Sequence, residues 1–173
     1  MSQLDQVQIV YVAAEDRLLM RLATGANEEF RCWLTRRFVK VLRPHLVDHL
    51  SRQTPIQTQA STAARRELLG FEHERAVRGA DFDTPFKEAD KALPLGAQPL
   101  LLTRFTLRPG QGTLTLLSRV PERGAGIDLA LLAHLMHSIR ARLDKALAAS
   151  DWALETVLPQ PPGEARAPSS TLN

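Results

Sequence analysis

The sequence has one cysteine and no long apolar run, and these two absences exclude several classes of protein. Cys32 is the single cysteine in 173 residues, so the chain forms no internal disulfide and no thiolate zinc cluster. No uninterrupted apolar run approaches the roughly 20 residues that a membrane-spanning helix needs. The first residues also lack the basic start and apolar stretch of a secretory signal peptide. We therefore expect a soluble cytoplasmic protein without zinc fingers.

The motifs of phosphate-binding and nucleophilic sites are missing as well. The glycines at 110–112 and 124–126 have neither the glycine count of a dinucleotide-binding loop nor the lysine and hydroxyl of a P-loop. No orienting histidine or strand-to-helix elbow accompanies Cys32, so its thiol is expected to be a small buried apolar group. The sequence therefore assigns no catalytic residue and no cofactor.

The composition is that of one globular domain. Apolar residues make up 44% of the sequence and charged residues 24%, enough to build a core. Cations outnumber anions by only 22 to 19, so a polyanion would have to be recognised by a local cluster of charge. We expect a single domain over residues 1–158 and a disordered, proline-rich tail over residues 159–173.

The first half of the domain is predicted to be a hairpin followed by a helix. Strand-like runs at 7–13 and 18–23 indicate an antiparallel hairpin over residues 7–23. Asn27, followed by two glutamates, is suited to cap a helix over residues 27–52, in which apolar side chains recur every three and four residues. Pro44 predicts a break or kink in that helix.

The second half repeats this order after a helical middle segment at residues 58–92. A strong turn signal at 108–112 indicates a second hairpin over residues 99–120. Asp128 lies near the start of a helix predicted over residues 127–149. The order ββα-α-ββα predicts an α+β fold, in which the two hairpins form an antiparallel sheet of about four strands packed with helices.

Strands in both hairpins carry apolar side chains on both faces. A sheet covered on one side would leave one of those faces in water, so a helix, a ligand or a partner subunit has to cover it. In a two-fold homodimer the apolar faces of the two copies cover each other. Alternatively, helices on both sides of the sheet cover both faces within one chain. Both arrangements fit the sequence.

Two groups of cations suggest a surface for an anionic partner. They lie on the first predicted helix and on the second hairpin, and they consist of Arg36, Arg37, Lys40 and Arg43, and of Arg104, Arg108 and Arg119. Spacings of four and three place Arg36, Lys40 and Arg43 on one helix face, where like charges repel unless something compensates them. Such a face either binds a phosphate backbone or an acidic protein, or is solvated and paired with acids elsewhere in the fold.

Two histidine pairs have spacings that can converge on a metal ion. His45 and His49 are four residues apart, and His134 and His137 are three apart. The sequence identifies no third ligand for either pair, and exposed histidines on a helix are the simpler interpretation.

These patterns predict a non-catalytic binding module, an adaptor or regulatory subunit that contacts another protein or a second copy of itself. The alternative is a nucleic-acid-binding protein that uses the basic first helix and the arginines of the second hairpin. A small metal-dependent enzyme that uses His45 and His49 ranks below both.

Overall fold

The computed structural model describes residues 4–53, 56, 58–79, 86–87, 90–109, 113–120 and 125–154, and the backbone alone of 107–109, 113–120, 125–126, 128 and 130. Seven strands and three α-helices lie in these ranges. They are β1 (Leu4–Val12), β2 (Arg17–Thr24), β3 (Glu29–Leu34), α1 (Arg36–Ser51), α2 (Thr62–Gly79), β4 (Leu100–Leu102), β5 (Arg104–Pro109), β6 (Thr113–Val120), β7 (Ala125–Leu132) and α3 (Ala133–Ala148). The predicted α+β class is confirmed.

The first sheet has four strands in the order β1-β2-β3-β4, with β1 at one edge. β1 and β2 form an antiparallel hairpin in which Val12 lies opposite Arg17. The connection contains a short 3-10 turn and ends at Asp16, whose φ of 46° is left-handed. β3 is antiparallel to β2, whereas β4 is parallel to β3, so the sheet is mixed rather than antiparallel throughout.

The predicted helix start at Asn27 is wrong, because β3 occupies the first part of the predicted range. The apolar residues there fit both the period of a helix and the period of a strand. Pairing with β2 selects the strand, since Met20 lies opposite Cys32 and Leu18 lies opposite Leu34. Asn27 lies in the preceding turn with a left-handed φ of 58°. The helix is capped instead by Thr35, whose hydroxyl accepts a hydrogen bond from the Phe38 amide.

The break predicted at Pro44 is also absent, since α1 continues through this residue as one helix. Proline lacks the N–H that would bond to the preceding turn, which costs the helix one hydrogen bond. Buried side chains on both sides of it, Leu42 and Leu46, hold the two halves of α1 against the same core. Packing of the apolar face therefore outweighs the local cost.

Within the range of the second predicted hairpin, β5 and β6 pair antiparallel, but β4 belongs to the other sheet. β4 joins the first sheet beside β3, and after Thr103 the chain enters β5 of a second, antiparallel sheet ordered β5-β6-β7. The helix predicted from residue 127 begins only at Ala133, because β7 pairs with β6 along residues 125–132. Ile127 and Leu131, on one side of that strand, are buried.

The middle segment contains α2, within the range predicted as helical. In the last part of that predicted range, residues 80–85, 88 and 89 lie outside the described residues, residues 86–87 and 90–91 are not helical, and Ala92 forms a bridge with Glu28. The predicted tail at 159–173 also lies outside the described residues. One core joins the sheets to α1 and α3 through fully buried leucines, among them Leu22, Leu46, Leu131 and Leu143.

Candidate functional site

A groove of about 910 Å³ runs between β1 and α3. β1 forms one wall and α3 the other, while the end of α2 and Phe86 and Lys87 contribute to the lining. The volume is within the range of about 300–1,000 Å³ that is usual for binding clefts. Its two long walls make it an elongated site rather than a round pocket.

The β1 wall presents the edge of the strand. Residues 4–11 all line the groove, although consecutive side chains of a strand point to opposite faces. An unbroken run of lining residues therefore means that the strand backbone itself faces the groove. Among the described strands, β1 pairs with β2 alone, so its other edge carries the N–H and C=O groups that a further strand would bond to.

The α3 wall is one face of the helix. Its lining residues recur at intervals of three or four, and they include His134, Ser138, Arg142, Lys145 and Ala149. Small side chains at Ser138 and Ala149 leave room beside the strand. A 16-residue helix is about 24 Å long and eight strand residues extend about 26 Å, so the two walls match in length.

The charged side chains among the described lining residues are mainly cations. Arg142 and Lys145 lie on the α3 wall and Lys87 lies at one end, whereas Asp5 is the one carboxylate among the described lining residues. Residues 7–11 of the β1 wall are uncharged. The cations are therefore concentrated across the groove from the strand.

Each end of the groove is fixed by side-chain contacts with β1 or its hairpin. At one end the Lys87 amide donates a hydrogen bond of 3.1 Å to the side chain of Gln6. At the other end the ring of Trp152 meets Tyr11 edge-to-face at 5.9 Å, and its indole N–H donates to Asp16. Trp152 is 3% exposed, so the residues that follow α3 are anchored to the hairpin.

A buried carboxylate anchors Phe86 indirectly. Glu29 accepts hydrogen bonds from Arg21 at 2.8 Å and from Arg31 at 2.6 Å, and it is 3% exposed. Burial raises the pKa of Glu29, but the hydrogen bonds and charges of the two arginines outweigh burial and lower it to about 2. The Arg21 guanidinium lies 4.2 Å above the Phe86 ring, a cation–π contact that links this cluster to the groove lining.

The basic residues that the sequence predicts on the first helix are not among the described residues that line this groove. On α1, Arg36, Arg37 and Lys40 are exposed, but Arg43 is buried and its Nε is 2.7 Å from a carboxylate oxygen of Asp144 on α3. Arg43 is therefore buried and paired with an acid elsewhere in the fold, which is one of the two arrangements that the sequence left open for this helix face. Its partner is an acid on another helix.

The second basic group lies on β5 and β6. Arg104 is exposed and lies opposite Arg119 in the strand pairing, and Arg108 lies opposite Thr115. The side chains of Arg108 and Arg119 are outside the described residues. β5 adjoins α1, since the Phe105 ring meets the Phe38 ring at 5.2 Å. The fold thus brings together the two elements that carry the predicted basic groups.

The two predicted histidine pairs do not converge on a common site. His45 packs against Phe105 with ring centroids 6.0 Å apart, and burial lowers the pKa of His49. His134 faces the groove, whereas His137 is buried and faces His73 of α2, with 3.3 Å between their Nδ1 atoms. Among the described residues, no group of three histidine, cysteine or carboxylate side chains is placed to hold a metal ion.

Cys32 has the buried, apolar position that the sequence predicts. Burial alone raises the pKa of its thiol to about 12, so the nucleophilic thiolate does not form near neutral pH.

The groove itself was missed by reasoning from the sequence. One signal was present: residues 7–12 are uncharged, rich in β-branched side chains and free of glycine and proline, which is unusual for a strand left at an edge. The small and basic side chains on one face of α3 were a second signal of a binding groove. Nothing local placed the two side by side.

No protein-family model matches the chain, and no curated protein or solved structure is detectably similar to it. No described helix combines the length and apolar character required to cross a bilayer.

Proposed function

We propose that the protein is a non-catalytic binding module that captures an extended segment of another protein as an additional strand beside β1. The observation that carries this proposal is the unbroken lining of the groove by residues 4–11, opposite a helix of matching length. A strand added at an edge gains backbone hydrogen bonds along its length, while alternate side chains fill pockets beside it. Here those side chains would contact α3.

The composition of β1 supports this use of its edge. Natural proteins protect exposed edges with charged side chains, prolines or bulges. β1 has an irregular pairing near Leu4 and Gln6 and a charge at Asp5, but residues 7–12 carry none of these protections. An unprotected edge beside a groove is expected where pairing with another strand is the function. A cytoplasmic location is part of the same proposal.

The test uses a capped nine-residue peptide with threonine or valine at odd positions and glutamine at even positions. Titration into the full chain, followed by amide hydrogen exchange, should slow exchange at about every second amide of β1, because only alternate N–H groups point to the open edge. A peptide methylated on every backbone nitrogen should not bind. Equal binding of that peptide, or unchanged exchange in β1, contradicts the proposal.

A matched pair of variants locates the binding site. Ala149→Trp places a large side chain on the groove wall, whereas Ala148→Trp places the same side chain on the neighbouring exposed residue, which is not part of the lining. The first variant should weaken peptide binding at least roughly tenfold, a loss of about 1.4 kcal/mol. The second should bind like the unaltered chain. The same loss in both variants would place the peptide elsewhere.

A second copy of the chain is the competing occupant of the same edge, as two β1 strands can pair about a two-fold axis. Sedimentation at micromolar concentration separates the two possibilities. We expect the mass of one chain when no peptide is present. A dimer that the peptide dissociates would make β1 a site of self-association.

Nucleic-acid binding is a second candidate function. It is favoured by the exposure of Arg36, Arg37 and Lys40 on α1 and by the contact of that helix with β5. Arg36, Arg37, Lys40 and Arg104 are not among the described residues that line the groove, so the two functions can be tested separately.

A further inference from the structure

We infer that the captured segment is acidic, with carboxylate side chains at alternate positions facing α3. This inference rests on the proposed function, because it names the chemistry of the strand that would lie beside β1. It follows from the sign and the placement of the charges around the groove.

Positive charge lies where one row of ligand side chains would point. A strand paired with β1 presents alternate side chains to each of its two faces, and one of these rows would meet α3. Arg142 and Lys145 are on that wall, and Lys145 is exposed. A carboxylate in this row would meet cations on α3, whereas a lysine in it would be repelled.

The spacing of the two cations suits two successive carboxylates in the row. Residues three apart on a helix are separated by about 4.5 Å along its axis. Alternate residues of a strand are about 6.6 Å apart. The long side chains of arginine and lysine span the difference of about 2 Å. The exposed Lys145 can thus meet one carboxylate of the row, while the next side chain of the row lies beside Arg142.

The strand wall does not select charge by itself. Residues 7–11 are uncharged, and Asp5 is the one described carboxylate in the lining. Lys87 adds a third cation at the Gln6 end. Many extended segments could therefore form backbone hydrogen bonds with β1, and the cations would favour the acidic ones.

The experiment compares three capped peptides that differ only at the even positions, which carry glutamate, glutamine or lysine. At low salt the glutamate peptide should bind roughly tenfold more tightly than the glutamine peptide, and the lysine peptide should bind least. The advantage of glutamate should shrink as salt is raised, because exposed charges are screened.

Two variants with the same loss of charge provide the control. Lys145→Gln removes a cation from the groove wall, and Lys40→Gln removes one from an exposed position on α1. Lys145→Gln should weaken the glutamate peptide roughly threefold and leave the glutamine peptide unchanged. Lys40→Gln should affect neither.

The possible results distinguish the acidic preference from the strand-binding function on which it rests. If the glutamate and glutamine peptides bind equally, the acidic preference is wrong and the strand-binding function stands. If Lys40→Gln weakens the glutamate peptide as much as Lys145→Gln, the preference reflects net charge and the inference is overturned. If none of the three peptides binds, both the function and the inference fail.

Discussion

Arg43 and Asp144 form an ion pair that joins α1 to α3 across 101 positions of the sequence, with 2.7 Å between Nε and the carboxylate oxygen. Arg43 is 6% exposed, so the Asp144 carboxylate offsets part of the cost of burying its charge. Arg140, one turn earlier on α3, approaches the same carboxylate at 3.8 Å. The pair therefore holds the helix that forms one wall of the groove.

Arg43→Met should destabilise the protein by roughly 2 kcal/mol, since it removes the partner of a partly buried carboxylate. The cost is smaller than for a fully buried pair because the Asp144 side chain is 32% exposed. Lys40→Met, at an exposed site on the same helix, should change stability by less than about 0.5 kcal/mol. Urea unfolding measures both changes. Equal effects of the two substitutions would mean that the ion pair does not stabilise the fold.

The stability of the protein should fall as the pH drops from 6.5 towards 4. Burial and the charges of His73, Arg140 and Arg75 lower the pKa of His137 to about 4, so the unfolded chain takes up a proton that the folded chain does not. The loss between pH 7.5 and pH 5 should be about 2 kcal/mol. Urea unfolding at several pH values should show His137→Gln flattening this profile. His134→Gln, at the exposed position on the groove wall, should leave it unchanged.

Glu29 should account for a second, more acidic transition. Its folded pKa of about 2 is below its ordinary value of 4.5, so its contribution is complete above pH 4.5 and is lost as the pH falls towards 2. Glu29→Gln should cost roughly 2 kcal/mol at neutral pH, because two arginines lose their shared acceptor. The variant should also lose part of the acid transition. A variant as stable as the unaltered chain would contradict this role for Glu29.

Trp152 should report on occupancy of the groove. It contacts Tyr11 at one end of the β1 wall, whereas Trp33 lies on β3 in the middle of the sheet. In a Trp33→Phe variant the remaining indole emission should shift when the glutamate peptide binds. In a Trp152→Phe variant the emission of Trp33 should stay constant during the same titration. A signal that follows Trp33 instead would place the ligand on the sheet face.

The nucleic-acid alternative predicts a steep loss of affinity with increasing salt. Replacing Arg36 and Lys40 together by alanine should flatten the slope of log affinity against log salt by about one unit for each phosphate that the variant no longer neutralises. Filter binding or fluorescence anisotropy with single- and double-stranded oligonucleotides measures this slope. Absence of binding to both at low salt would exclude this function.

Composition and periodicity were sufficient to predict the α+β class, because alternating and helical apolar patterns determine which elements can share a core. Composition and periodicity did not predict the strand at residues 29–34. The apolar side chains there fit both the two-residue period of a strand and the 3.6-residue period of a helix, and only pairing with β2 decides between them. Composition and periodicity failed again at residues 125–132 for the same reason, since β6 supplies the partner strand. The candidate groove depends on the packing of α3 beside β1, two elements that lie far apart in sequence. No local sequence pattern specifies that these two elements pack side by side.

The order of the elements along the chain has a consequence for folding. β1 is the first described element to be synthesised and α3 the last, so the hairpin of β1 and β2 can form well before the helix beside it exists. During that interval an uncharged edge of high β-propensity lies open to other nascent chains. Assembly that needs distant contacts is also slow, which lengthens the exposure. Truncation before Ala133 should therefore yield aggregates that form through β1, and adding a charged residue within 7–12 should delay them.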